Sequence, residues 1–370
     1  MGKKKKKYLV FGLSEQLGGV ESFLMNYISK MMDENNVFEF IVFDDIPGYI
    51  RNSAIRECKM HVVNKRIKKP LSYYIQLKKI LQEGNYDIVW YNVCTLSDIT
   101  LIKLAKKYHV PCRIVHSHNG SNMGGKIVAY LHEKNKKKII NYASDFFACS
   151  NVAADFMFPT DIIKDGKVII IKNAIDTKKY KYNKEIREDM RRQLGISNEL
   201  LIGHVGRFHF QKNHKFILEI FEEVLKKQAD AKILLIGNGE LKEGFCKEAE
   251  EKGIIKSIIM LENRSDVNNL MQAMDVFVFP SLFEGLPISL VEAQAADLPC
   301  VISDTISEEI LLTDKMRMMS LDDSAEKWAG IIIEKNKNID RIDVSNILKK
   351  KGYDIEQNAI ELKQYMWKIS

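Results

Sequence analysis

The stretch DVFVFPSLFEGLPISLVEAQAADLPCVIS, Asp275–Ser303, is the most informative segment of the chain. Its apolar run from Val276 to Phe279 is typical of a strand buried on both faces of a parallel sheet. Glu284 follows that run, and a helix is predicted from about Pro287 because proline suits the first helical turn. Open α/β sheets bind ligands at the carboxyl ends of their strands, where a helix N-terminus presents free N–H groups to a phosphate. The segment therefore predicts a binding site for a phosphorylated ligand.

Two carboxylates give this site a second property. Glu284 lies at the end of the strand, and Glu292 lies inside the helix that follows. Glu284 can accept hydrogen bonds from the hydroxyls of one group, and Glu292 from those of another group further along the ligand. A pair of glutamates at this spacing is common on surface helices, and it is the strand, turn and helix around this pair that favour a site. The arrangement suits a sugar joined through diphosphate to a ribose.

The segment resembles the E-x7-E motif of retaining glycosyltransferases of family 4, which have the GT-B architecture. The resemblance implies that Glu284 holds the donor sugar, as a catalytic residue, and that Glu292 holds the ribose of the nucleotide. The other candidate nucleotide-sugar-binding residues of the segment are Gly285, Leu286, Ile288 and Ser289.

Two cations precede this segment on another strand-end loop. Arg207 and Lys212 follow the apolar run Leu201–Val205. A guanidinium and an ammonium can clamp a diphosphate and stabilise it as it leaves. Solvated loop cations are the alternative interpretation. The spacing resembles the G-R-x4-K-N pattern of the same family, which favours catalytic and nucleotide-binding roles for both side chains.

A glycine pair marks the first loop of the chain. Gly18 and Gly19 follow the first predicted strand and open a helix, and two glycines there allow a ligand to approach the backbone closely. A tight strand-to-helix turn is the alternative. The chain has no G-x-G-x-x-G at this point, which disfavours a dinucleotide site. The loop resembles the first loop of family 4 enzymes, which implies that this glycine pair lies near the donor.

Two histidines end a strand of the first half. His116 and His118 are at positions i and i+2, so their side chains are predicted to point to the same face. No third metal ligand is near them in sequence. The family's T-x-H pattern aligns with His118, which the resemblance makes the catalytic residue that faces the reacting sugar. His116 occupies the threonine position, a departure that leaves open which histidine faces the sugar.

Further strand-end loops resemble the family's G-x-G turn and its G-x-R-x-D-V loop, which flanks the base. They add Asn238, Gly239 and Arg264 to the nucleotide-sugar-binding candidates. Glu262 stands where the family has glycine, which leaves the base contacts open. The sequence contains no D-x-D and no Cys/His cluster with zinc spacing, so we expect no metal and no cofactor beyond the UDP-sugar substrate.

Strands alternate with helices in both halves of the 370-residue chain, which predicts two doubly wound, Rossmann-like α/β domains that face a cleft. We expect residues 1–175 to form an acceptor-side domain and residues 176–354 the nucleotide-sugar-binding domain. The segment 171–182 is interpreted as a linker. If the GT-B resemblance holds, a last helix at about 355–370 packs back on the first domain.

Positive charge is concentrated in the first half. Residues 1–175 carry 27 Lys and Arg against 16 Asp and Glu, with five lysines in the tract Lys3–Lys7. The stretch 64–81 mixes aromatic residues with Lys65, Arg66, Lys68 and Lys69. This pattern is typical of protein segments that bind anionic membrane surfaces, and a solvated helix face is the alternative. No nucleic-acid-binding motif occurs, so we expect no nucleic acid partner. Without a signal sequence or a membrane-spanning run, the expected location is cytoplasmic, on the inner face of the plasma membrane.

Together the motifs predict a retaining glycosyltransferase. The resemblance implies that it moves a hexose or N-acetylhexosamine from a nucleotide diphosphate sugar, a UDP-sugar, to a growing, lipid-linked glycan in bacterial capsule or exopolysaccharide synthesis. The alternatives are a UDP-sugar 2-epimerase of the same two-domain form and an inactive nucleotide-sugar-binding partner subunit. An epimerase releases nucleotide without an acceptor, and the intact set of two cations and two glutamates argues against an inactive subunit.

Overall fold

The computed structural model describes residues 5–122, 124–262, 264–336 and 340–370. Lys3 and Lys4 of the lysine tract and Asn263 of the predicted base-flanking loop lie outside these residues. The chain divides into two compact units. The first contains the residues up to Ala174 together with Ile355–Ser370, and the second contains Ile175–Asp354.

The first unit is built on a parallel sheet that has seven strands within the described residues, in the order β3-β2-β1-β4-β5-β6-β7. The strands are β1 Lys6–Phe11, β2 Asn36–Phe43, β3 Lys59–Val63, β4 Ile88–Val93, β5 Cys112–Ser117, β6 Asp145–Ala148 and β7 Val168–Ile170. The helices between them are α1 Gly19–Met31, α2 Pro70–Gly84, α3 Thr100–Lys107, α4 Lys126–Lys136, α5 Asn151–Met157 and α6 Thr160–Lys164. This is the strand order of a doubly wound fold.

The second unit repeats the plan, with six strands among its described residues in the order β10-β9-β8-β11-β12-β13, all parallel. The strands are β8 Leu201–Val205, β9 Lys232–Ile236, β10 Ile258–Leu261, β11 Val276–Phe279, β12 Cys300–Ser303 and β13 Met316–Met319. The helices are α7 Thr177–Tyr180, α8 Lys184–Gln193, α9 His214–Lys227, α10 Lys242–Glu251, α11 Val267–Ala273, α12 Ile288–Ala295, α13 Ala325–Asn336 and α14 Ser345–Lys350. The predicted strands over β8 and β11 are confirmed.

The last helix, α15 Ile355–Lys368, belongs to the first unit and packs against α1. Its buried face, with Ile355, Leu362 and Met366, joins the core formed by β1, β2 and α1. Apolar side chains at positions 355, 359, 362 and 366 follow the helical repeat, so one stripe of the helix is removed from water.

Some elements differ from the sequence prediction. The segment 171–182, interpreted as a linker, contains helix α7, whose first turn is capped by the side chain of Asp176. Strands β3 and β13 were not predicted, because they lie at sheet edges and are partly exposed, and exposed positions dilute the apolar run. Helix α8 was not predicted either, because charged residues dominate it. Its start is fixed by Asn183, whose side chain accepts a hydrogen bond from the Ile186 N–H group.

Candidate functional site

The candidate residues of the second unit collect at one edge of its sheet. Strands β8 and β11 are neighbours although two other strands separate them along the chain, so the strand order reverses between them. Lys212 lies on the loop after β8, and Glu284 lies on the loop after β11. A reversal of strand order opens a crevice at the carboxyl ends of the strands, the usual ligand site of such sheets.

Lys212 and Glu284 are in direct contact at this edge. The Lys212 Nζ atom lies 2.6 Å from Glu284 Oε1, and both side chains are largely buried. The lysine also lies over the ring of Phe279, 4.6 Å from its centroid. Charges that are shielded from water attract more strongly than charges on an open surface. A ligand bound here therefore meets a cation and a carboxylate in fixed positions.

Gln211 holds the two loops together. Its side-chain Nε2 donates to the carbonyl of Phe283 at 2.8 Å, and its own carbonyl accepts from the N–H group of Leu282 at 2.8 Å. Gln211 is buried, so these bonds are protected from water. It positions Lys212 beside Glu284. This role could not be predicted from the sequence, because a glutamine in a loop carries no signal of a long-range partner.

A glycine turn after β9 supports the loop that carries Arg207. Phe208 donates its backbone N–H to the carbonyl of Asn238 at 3.0 Å. Gly237 and Gly239 have φ values of +153° and +155°, and a Cβ atom on Gly239 would lie 2.4 Å from the carbonyl oxygen of Phe208. Only glycine tolerates both the backbone angle and this close approach. Arg207 itself is exposed, and within the described residues no carboxylate forms an ion pair with it.

Asn238 and Arg264 both have partners within the protein. Asn238 Nδ2 donates to Glu262 Oε2 at 3.0 Å, and Lys242 forms an ion pair with the same carboxylate. Arg264 is exposed and makes two hydrogen bonds to Asp266, of 2.8 and 2.6 Å. The glutamate that replaces the family's glycine therefore engages the predicted binding residue Asn238.

Helix α12 begins at Ile288, directly after Pro287, one position later than the proline-based prediction. Gly285, Leu286 and Ser289 are buried and Ile288 is partly exposed. Glu292, one turn into the helix, is partly buried and accepts a 2.6 Å hydrogen bond from the hydroxyl of Tyr180. Burial raises the pKa of Glu292 to about 7, and the bond from Tyr180 opposes part of that rise.

The candidate residues of the first unit lie after β1 and β5. Gly18 immediately precedes α1, and Glu21 in its first turn accepts a hydrogen bond from the Ser14 N–H group at 2.9 Å. His118 Nε2 lies 2.9 Å from Asn92 Oδ1. Because Asn92 Nδ2 donates to the Phe11 carbonyl at 3.0 Å, its Oδ1 is the acceptor and Nε2 of the histidine carries the proton.

The two histidines differ in exposure. His116 is completely buried, with its ring parallel to that of Trp90 and against Phe147, whereas His118 is partly exposed. Burial lowers the pKa of His118 to about 3, so it is neutral at pH 7. Of the pair left open by the sequence, His118 is the one with surface available to a ligand.

The basic stretch 64–81 is less positive than its sequence suggests. Arg66 pairs with Asp98 at 2.9 Å, Lys68 lies 3.7 Å from Asp44, and Lys65 pairs with Glu15. Large apolar side chains stand exposed among these cations: Ile67, Leu71, Tyr74 and Ile75. No helix in the described part of the chain has the length and hydrophobicity that a membrane span requires. Over the same residues, no cluster of His, Cys, Asp and Glu suited to a metal ion is found.

Comparison with known proteins finds a family match over most of the second unit. Residues 186–342 match the family model of glycosyl transferases group 1. The chain is 29% identical over 359 residues to EpsF of Bacillus subtilis (strain 168), a protein assigned as a glycosyltransferase, covering 92% of this chain and 91% of that one. It is 26% identical over 266 residues to the UDP-Gal:alpha-D-GlcNAc-diphosphoundecaprenol alpha-1,3-galactosyltransferase of Escherichia coli, covering 67% and 65%. Other relatives are capsular polysaccharide biosynthesis glycosyltransferases of Staphylococcus aureus.

The fold is shared with solved structures. Anabaena Alr3699/HepE in complex with UDP superposes with a TM-score of 0.76 at 16% identity, covering 98% of this chain and 100% of that one. The fold prediction of two Rossmann-like units of the GT-B type is thereby confirmed. The family match and these relatives support a GT-B glycosyltransferase of the family 4 type.

Proposed function

We propose that this glycosyltransferase is a retaining, metal-independent enzyme of bacterial surface polysaccharide synthesis. Its donor is a UDP-sugar, from which it moves a hexose or N-acetylhexosamine to a growing, lipid-linked glycan. The observation that carries the proposal is the contact of Lys212 with Glu284 at the reversal of strand order, with Glu292 on the helix that follows. The Escherichia coli relative, named for a UDP-Gal donor and a diphosphoundecaprenol-linked acceptor, supports the substrate classes.

Each side chain has a role in this proposal. Lys212 and Arg207 stabilise the diphosphate as negative charge develops on the leaving oxygen. Glu284 holds hydroxyls of the donor sugar, and Glu292 holds those of the ribose. In the first unit, His118 is the residue that we assign to contact with the transferred sugar. Neither glutamate is assigned as a nucleophile, so a front-face displacement is favoured over a covalent sugar intermediate.

Metal independence has a direct test. We expect nucleotide release from the preferred UDP-sugar to require the lipid-linked acceptor and to be unchanged by EDTA, because two cations and a helix N-terminus neutralise the diphosphate. The measurement is nucleotide release in metal-free buffer, with Mg²⁺ or Mn²⁺ added back. Loss of turnover in EDTA that either ion restores would contradict metal independence. Equal release without acceptor would favour the epimerase alternative.

We also propose that the first unit docks on anionic membrane through the stretch 64–81. The exposed face of α2 carries residues at the spacing of one helix face: Leu71, Tyr74, Ile75 and Lys78. Ile67 precedes the helix with 97% of its surface exposed. An apolar stripe flanked by lysines is the pattern of helices that lie in the membrane interface. Because acidic neighbours offset three of the four predicted cations, burial of apolar side chains contributes more here than the sequence alone suggests.

Liposome co-sedimentation tests this docking. Replacing Ile67 and Leu71 with serine should reduce binding at least tenfold, since each buried apolar side chain contributes on the order of 1.5 kcal/mol or more. Replacing Lys65, Arg66, Lys68 and Lys69 with serine should mainly remove the dependence on anionic lipid and salt. A matched control removes four exposed lysines of the second unit: Lys215, Lys227, Lys247 and Lys256. Equal binding to neutral and anionic vesicles would contradict the requirement for anionic lipid. Equal binding by both variants and wild type would reduce this stretch to a solvated surface.

A further inference from the structure

Tyr180 makes a contact that none of the recognised motifs contains. Its hydroxyl donates to Glu292 Oε1 at 2.6 Å, and the residue is buried. We propose that Tyr180 is a positioning residue for donor binding, which fixes the Glu292 carboxylate and keeps it in its charged form to accept the ribose hydroxyls. This inference rests on the proposal that Glu292 binds the ribose. It adds the residue that sets the position and charge of that carboxylate.

The helix that carries Tyr180 is anchored at several points. Thr177 Oγ1 donates to Asp354 Oδ2 at 3.0 Å, and Gln272 Nε2 donates to the carbonyl of Tyr180 at 3.0 Å. Asp176 caps the first turn. A four-residue helix is not stable alone, so these bonds from α11 and from the end of the second unit are what hold it in place. The hydroxyl of Tyr180 therefore approaches Glu292 from a fixed support.

Packing around Glu292 leaves few other groups to control its charge. Helix α7 and strand β12 pack against α12. Helix α7 contributes Tyr180 and the cation of Lys179, and the carboxylate of Asp176, which caps α7, acts on Tyr180. Strand β12 contributes the thiol of Cys300, which stays neutral because burial raises its pKa. Glu292 is the only titratable residue of α12. The pKa of Tyr180 is raised well above its usual value by burial, so it remains a neutral donor.

The sign of the pH dependence follows from the pKa of Glu292, which is about 7. Below pH 7 the carboxyl gains a proton and loses acceptor capacity, so affinity for the ribose hydroxyls should fall as pH decreases through 7. Above pH 8 affinity should reach a plateau. The limiting slope for one titrating group is about tenfold per pH unit. A UDP-sugar is a suitable probe because neither of its phosphates titrates in this range.

Removing the hydroxyl of Tyr180 should change both affinity and its pH dependence. The bond from Tyr180 opposes the rise of the Glu292 pKa, so Tyr180→Phe should move the midpoint upward by up to about one pH unit. We expect about five- to tenfold weaker UDP-sugar binding at pH 7, with the two proteins converging by about pH 9. The measurement is calorimetric titration at several pH values, with KM for the donor as a second readout that should rise more than kcat falls.

Tyr182→Phe is the matched control. It removes the same atom two residues away, where the ring packs against Arg341 and the hydroxyl makes no hydrogen bond within the described residues. This variant should retain wild-type affinity and midpoint. In Glu292→Gln the pH dependence near 7 should disappear.

The outcomes separate this inference from the function it rests on. If Glu292→Ala leaves UDP-sugar affinity unchanged, the ribose assignment itself fails. If Glu292→Ala weakens binding while Tyr180→Phe changes neither affinity nor midpoint, only the positioning role is wrong. A loss of affinity in Tyr180→Phe that is equal at every pH also overturns it, because a purely structural defect does not move a titration. If UDP-sugar affinity still depends on pH near 7 in Glu292→Gln, another group titrates and the inference is overturned.

Discussion

Lys212→Ala is expected to reduce kcat at least 100-fold, the largest effect of any single substitution in this chain. The lysine Nζ lies 2.6 Å from Glu284 in a largely buried setting, where a charge stabilises a developing diphosphate more than it does in water. Loss of one such group corresponds to about 3 kcal/mol of transition-state stabilisation. The measurement is steady-state transfer from the preferred UDP-sugar, with thermal melting to verify the fold.

Lys215→Ala is the control, because Lys215 is an exposed lysine in the first turn of α9, three residues after Lys212. It should retain wild-type kcat. Glu284→Gln should also impair turnover, and the double variant Lys212→Ala/Glu284→Gln should lose less than the sum of both effects, since residues in contact act together. If the folded Lys212→Ala protein keeps the wild-type kcat, Lys212 does not stabilise the leaving diphosphate.

Glu292→Ala is expected to weaken UDP binding by about 10- to 100-fold while affecting turnover of bound donor less. A hydrogen bond to a charged group contributes about 1.5–3 kcal/mol, and two ribose hydroxyls are available to this carboxylate. Isothermal titration with UDP measures the effect at pH 8, where the carboxyl is mostly ionised because its pKa is about 7. Glu308→Ala, which removes an exposed carboxylate of the same unit, should bind UDP as wild type does.

Removing a ribose hydroxyl from the ligand should weaken binding in the same way as removing the Glu292 carboxylate from the protein. We expect 2′-deoxy-UDP to bind wild type more weakly than UDP does and to lose less affinity than UDP does in Glu292→Ala, because one of the two hydroxyls that the carboxylate accepts from is already absent. Equal affinity of UDP for wild type and Glu292→Ala would place the ribose elsewhere.

The sequence predicted the parts of this protein that local patterns encode. The strand Val276–Phe279 and the helix that begins at Ile288 follow from a buried apolar run and a proline turn. Glu284 was assigned by its position after such a strand. The strand order explains why Lys212 and Glu284 meet, since β8 and β11 are neighbours in the sheet. That neighbour relation was not predicted, because neither segment encodes it alone.

The supporting residues could not be predicted in this way. Gln211 and Tyr180 act through partners 72 and 112 positions away in sequence, and neither lies in a recognisable motif. The segment 171–182 was interpreted as a linker, yet α7 forms there through the Asp176 cap and contacts from α11. The carboxylates that pair with Lys65, Arg66 and Lys68 could not be predicted either. They belong to three separate loops, at Glu15, Asp44 and Asp98.

The most direct test of the central claim is the mass of the acceptor after reaction. A lipid-linked sugar diphosphate is incubated with the preferred UDP-sugar in EDTA, and the lipid product is analysed by mass spectrometry. The account predicts a gain equal to one hexose or N-acetylhexosamine residue, with one UDP released per sugar added, and no gain with Lys212→Ala on the same time scale. Release of UDP with an unchanged acceptor mass, for every donor and acceptor tried, would contradict glycosyl transfer and favour an epimerase.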